Sequence, residues 1–129
     1  MKTVAPPQAV ADAFDRLHEH TLRKLWFVGD VHGEFQHIET TLKAARDANS
    51  LPTWIVFLGD LDIDQLPLRV VLEPMLTLSP ELRVAFVHGN HDADSYAHWE
   101  CLHDGGEAVA LHGRVVDLDG LRVAGLGGN

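Results

Sequence analysis

Apolar residues along this chain fall into short continuous runs separated by stretches of helical periodicity. The runs LWFV (25–28), WIVFL (54–58) and RVAFV (83–87) lead into Gly29-Asp30, Gly59-Asp60 and Gly89-Asn90, which recur at intervals of thirty residues. Runs of that length and spacing predict buried strands in repeated strand-helix-strand units. Between the first two, Phe35, Ile38, Leu42 and Ala45 recur at helical spacing, and the pattern stops near Asn49-Ser50 and Pro52, which predicts a helix. A second helix is predicted over 66–76, with Pro67 in its first turn and Pro74 able to kink it. Upstream, Val10, Ala13, Phe14, Leu17 and Thr21 predict an amphipathic leading helix over 7–23. Right-handed crossovers make such a sheet parallel, and helices are expected to cover both its faces. The oxygen-bearing side chains after the strands then gather at the carboxyl edge, where open α/β sheets place ligand sites.

Beyond Asp92 the texture changes. Tyr96, Trp99, Cys101 and Leu102 predict a further helix ending at Gly105-Gly106. Residues 108–111, 115–118 and 121–126 are short β-rich runs, expected to be antiparallel or meandering, with Asp119-Gly120 as a tight hairpin turn. The sequence stops just past a strand, which reads as a single domain over 1–129 truncated at its C-terminus. A strand edge carrying Val115, Val123 and Leu126 without its partner leads us to expect a homo-oligomer built through the C-terminal strands.

Composition narrows the partners. A length of 129 residues with 46% hydrophobic content suffices for one cored domain. Ten Lys+Arg against nineteen Asp+Glu give a formal charge of −9; the first 29 residues hold four basic and three acidic groups, leaving six and sixteen for the rest. Such a balance repels a nucleic-acid backbone, so no nucleic-acid polymer is expected as a partner, and divalent cations are a natural counter-charge. Cys101 is the only cysteine, so no intrachain disulfide can form, and it reads as a small buried residue. No signal-peptide core or 18-residue apolar stretch occurs, from which we expect a cytoplasmic chain without a membrane partner.

The chemistry concentrates in GDVHG, GDLDID and HGNHD. Asp30 and His32 lie two residues apart, so in an extended segment both side chains reach one side and grip one ion. The carboxylate of Asp60 is able to bridge two cations about 3.5–4 Å apart, the spacing of two-metal hydrolysis. Asn90 offers an amide oxygen to the second ion, and His91 an imidazole. Mixed oxygen and nitrogen donors suit Mn²⁺, Fe or Zn²⁺ better than an all-oxygen Ca²⁺ cage. Asp62 and Asp64 either orient His32 or cap the following helix. His88 and Asp92 are grouped with them as supporting residues around the site. His18, His20, His37, His98 and His103 fall in no ligand pattern and read as surface or boundary residues.

The motifs DVH, GD and GNHD, in this order and spacing, resemble the first three motifs of the calcineurin-like metallophosphoesterase superfamily over roughly residues 25–126. The resemblance implies a three-layer α/β fold, a mostly parallel sheet with flanking helices like the first half of an α/β-β/α sandwich. It implies a phosphoester hydrolase, phosphatase or phosphodiesterase, in which metal-bound hydroxide attacks the ester. By the same resemblance, two divalent ions (Mn, Fe or Zn, with Mg as a further fit) are held by Asp30 and His32 on the first, Asp60 bridging, and Asn90 on the second. His91 is then the catalytic acid. Two departures stand out. Many relatives place a supporting Asp where this chain has Ile63, and their downstream histidine and Gly-His-x-His segment do not occur here. Incomplete coordination, weak metal binding and slow hydrolysis are therefore expected. The competing reading is a non-catalytic, protein-binding scaffold on the same fold. The motifs choose no substrate among phosphoprotein, nucleotide, cyclic nucleotide and dinucleoside polyphosphate.

Overall fold

The three apolar runs form strands β1 (Leu25–Val28), β2 (Trp54–Leu58) and β3 (Arg83–Val87). In the computed structural model, residues 8–12 and 25–128 are described. Residues 8–12 are helical, and the remainder of the expected leading helix lies outside the described residues. A fourth strand, β4 (Val109–Ala110), completes a sheet of order β1-β2-β3-β4 in which every pairing is parallel. The expectation that 108–111 is antiparallel or meandering is corrected: Val109 pairs with Ala85 in parallel. Two residues are too few for alternation to declare a direction, which is set instead by the helix that delivers them.

The first crossover helix, α1 (Gln36–Asp47), buries Ile38, Leu42 and Ala45, spaced four and three residues apart along one face. The helix expected over 66–76 is two helices, α2 (Leu68–Val71) and α3 (Glu73–Leu78), joined at Leu72. A continuous helix would need an N–H from residue 74 to reach the carbonyl of residue 70, and Pro74 has none; in the first turn of α3 the missing donor loses nothing. The last helix, α4 (Tyr96–His103), follows a 3₁₀ turn over His91–Ala93 and ends just before Gly105-Gly106.

The helices α1 to α4 pack against one face of the sheet, around Phe35, Leu42, Phe57, Leu72, Met75 and Leu102. The expectation of helices on both faces includes the leading helix, most of which lies outside the described residues. Strands that follow one another side by side, joined by crossovers of one hand, must place every crossover on the same side. The other face, with Leu25, Trp54, Val56, Ala85 and Leu111, is covered by a hairpin of β5 (Arg114–Leu118) and β6 (Leu121–Gly125), through Val116, Leu118 and Val123. Among the described residues the layers are thus helices, parallel sheet and hairpin.

The hairpin turn has Asp119 at φ +53° and Gly120 at φ +93°, the sign pattern of a two-residue primed turn, and the Thr53 hydroxyl bonds the Asp119 carboxylate. Val115 and Leu126 face outward, whereas Val123 packs inward. Among the described residues no helix is long and apolar enough to cross a membrane.

Candidate metal centre

Because β1, β2 and β3 are adjacent and parallel, the loops after them meet at the carboxyl edge. Asp30 (φ +48°), His32 (+47°), Asp60 (+50°) and Asp62 (+57°) all lie in the left-handed region. Asp and His tolerate it better than most side chains, at a cost of about 1 kcal/mol or more each. The expected extended segment through Asp30 and His32 is therefore a tight turn. Cross-loop hydrogen bonds hold it there: the His32 and Gly33 N–H groups donate to the carbonyls of Asp60 and Leu61 at 2.9 and 2.8 Å. The loops after β2 and β3 approach so closely that a Cβ added at Gly89 would lie 2.1 Å from Asp60 Oδ1. A side chain at position 89 would displace the Asp60 carboxylate, so the third recurrent glycine is a steric requirement of the site.

Asp30, His32 and Asp60 present one ligand atom each within 4.8 Å of one another. Donors about 2.0–2.2 Å from a single ion lie no more than about 4.4 Å apart. Three donors sharing one ion stand closer still, so a closure of about 1 Å would bring these onto one cation. The tautomer of His32 suits this: its Nδ1 is 2.9 Å from Asp62 Oδ2, and since a carboxylate only accepts, Nδ1 carries the hydrogen. Nε2 keeps the lone pair that a metal needs, in the carboxylate-histidine arrangement common around metal ligands. Asp60 Oδ1 accepts the His91 N–H at 3.0 Å, which orients its carboxylate. Two carboxylates and an imidazole form the mixed donor set of borderline divalent ions.

The loop after β3 supplies the rest. Asn90 begins the 3₁₀ turn, its carbonyl accepting the Ala93 N–H at 3.2 Å. The His91 ring stands edge-on to that of His32 with centroids 5.7 Å apart, and its Nδ1 donates to Asp94 Oδ2 at 3.0 Å. Asp92 is 1% exposed; its two oxygens accept the N–H groups of Asp62 and Gly89 at 2.9 and 2.8 Å, joining the loops after β2 and β3. Asp64 is exposed and contacts Gln65. His88 points elsewhere, into a group of rings with Trp99 and His112, each 4.9 Å away between centroids.

The electrostatics follow the contacts. The hydrogen bond to Asp62 raises the His32 pKa, with the charges of Asp62, Asp60 and Asp30 adding to it. The bond to Asp94 does the same for His91. Burial, followed by the neighbouring His112 and His103, lowers that of His88. Burial also raises the thiol of Cys101, which is partly buried against the main core.

Sequence reasoning missed two residues. Asp94 holds His91 from three positions downstream, and His98, read as a surface or boundary residue without a role at the site, lies 3.7 Å from Asp62 Oδ1. The available signal was Ser95, three residues before His98 and at the start of a helix, where a serine fixes its neighbour's geometry.

The family described as calcineurin-like phosphoesterase matches residues 23–129. A curated protein of Haemophilus influenzae, named only as an uncharacterized protein, is 31% identical over 103 residues, which are 79% of this chain and 41% of that protein. The chain thus spans less than half the length of that relative. No solved structure gives a significant match.

Proposed function

The chain belongs to the calcineurin-like phosphoesterase family, and from that premise we propose that its carboxyl-edge centre binds divalent cations and hydrolyses a phosphoester. The observation that carries the reading is the convergence of Asp30, His32 and Asp60 from two loops, with the His32 tautomer fixed by Asp62. Cations bound there would supply the charge that lowers the pKa of a coordinated water and neutralises phosphoryl oxygens. Asp30, His32 and Asp60 would hold one such ion, Mn²⁺, Fe or Zn²⁺, and Asp60 with Asn90 would hold a second.

His91 is the proton donor in this reading. Asp94 accepts from Nδ1 and raises the ring's pKa, which favours the protonated form and leaves Nε2 to give a proton to the departing oxygen. An imidazole placed and charged in this way favours hydrolysis over the scaffold alternative.

The test is release of the aryl alcohol from an aryl phosphate and from a bis-aryl phosphate in the presence of Mn²⁺. We expect slow, metal-dependent turnover that disappears in Asp60→Asn and falls about 100-fold in His91→Ala. The better ester separates monoesterase from diesterase chemistry. Turnover that survives Asp60→Asn, or none with either ester at saturating Mn²⁺, would overturn the assignment.

A further inference from the structure

We propose that His98, in the first turn of α4, is a positioning residue of the metal centre, acting through Asp62 on His32; the inference rests on the metal-binding reading above. Asp62 is the hub. Its Oδ2 accepts from His32 Nδ1 at 2.9 Å, its Oδ1 lies 3.7 Å from His98 Nε2, and its backbone N–H is held by Asp92. A carboxylate held through one oxygen still turns about its broad terminal torsion. A positive edge facing the other oxygen fixes the plane, and with it the direction in which His32 presents Nε2.

His98 is itself held in place. Ser95 caps α4: its Oγ accepts the His98 backbone N–H at 3.2 Å and lies 2.7 Å from His98 Nδ1. The proposal requires the hydroxyl hydrogen to go to Nδ1, which is then the acceptor in the 2.7 Å contact. In a neutral ring the hydrogen is then on Nε2, the atom that faces Asp62. No charge on His98 is needed. At 3.7 Å the contact is longer than a hydrogen bond and acts electrostatically. The His98 side chain is 21% exposed, enclosed more than a solvated helix residue of this kind. The order of contact is Ser95, His98, Asp62, His32, and it ties the start of α4 to a ligand contributed by the loop after β1.

The test compares His98→Leu, which keeps bulk but removes the donor, with His98→Gln, whose side-chain amide places an N–H near the position of Nε2. The first readout is the His32 tautomer in metal-free protein, from long-range ¹H–¹⁵N correlation spectra. The second is Mn²⁺ affinity by calorimetry. We expect wild type to show the single Nδ1–H tautomer at His32. His98→Leu should show mixed tautomers and about 10-fold weaker Mn²⁺ binding, with His98→Gln within about twofold of wild type on both readouts. A His98→Leu protein indistinguishable from wild type overturns the proposal, and so does equal impairment by Leu and Gln, which would reveal a packing role. If wild type binds no Mn²⁺, the metal-binding reading fails on its own, and the tautomer comparison in metal-free protein still decides the role of His98.

Discussion

A proton and a cation compete for one imidazole at His32. The Asp62 hydrogen bond, then the charges of Asp62, Asp60 and Asp30, raise its pKa above the ordinary 6.5. Metal binding needs the neutral ring. Mn²⁺ affinity should therefore weaken as pH falls through that raised value, beginning at a higher pH than a free histidine would give. Without metal the sign reverses: the raised pKa contributes stability that is fully present below 6.5 and is lost as pH rises through the folded-state value. Asp62→Asn removes the largest cause, so the loss of Mn²⁺ affinity should set in at lower pH than in wild type. Calorimetric titrations between about pH 5.5 and 8 would show this, and coincident pH profiles would contradict it. This level was the least legible in the sequence. Asp62 and Asp64 flank Ile63 symmetrically, and only the left-handed turn at Asp62 sends one toward His32 while the other stays in solvent. Asp94 and His98 carry no motif at all; their roles come from a 3₁₀ turn and a capped helix, whose placement depends on the packed fold.

Among the elements, the three long strands were legible because a buried parallel strand is a continuous apolar run, and the hairpin because Asp-Gly specifies its turn. The short pieces were not: β4 has too few residues for a pattern, and the break between α2 and α3 depends on a proline whose effect is read only once the helix register is known. The loops after β2 and β3 are joined by the His91 N–H on Asp60 and by Asp92, whose buried carboxylate accepts two backbone N–H groups, one from each loop. Truncating it leaves both donors unpaired. Asp92→Ala should lower unfolding stability by about 3 kcal/mol and weaken metal binding in the same protein. Chemical denaturation monitored through the tryptophans would measure it, and a loss below about 1 kcal/mol would mean that the loops are held by other contacts.

For the whole molecule, the −9 charge and the carboxyl-edge cluster point the same way. Acidic groups from separate strands are brought within reach of one another by a sheet whose stability lies in the two apolar clusters on its faces, so the site depends on the fold more than the fold on the site. A bound cation relieves that repulsion. The arrangement of the layers was only partly legible, because the strand order that places the crossover helices α1 to α4 on one face is a property of pairing and leaves no local trace in the sequence. The most direct test of the central claim is a Mn²⁺ titration followed by the electron paramagnetic resonance signal of the free ion, run on wild type and on Asp60→Asn. The account predicts saturable binding by wild type, weakened at least about 10-fold by the substitution. Superimposable isotherms for the two proteins would show that Asp30, His32 and Asp60 do not form a metal centre.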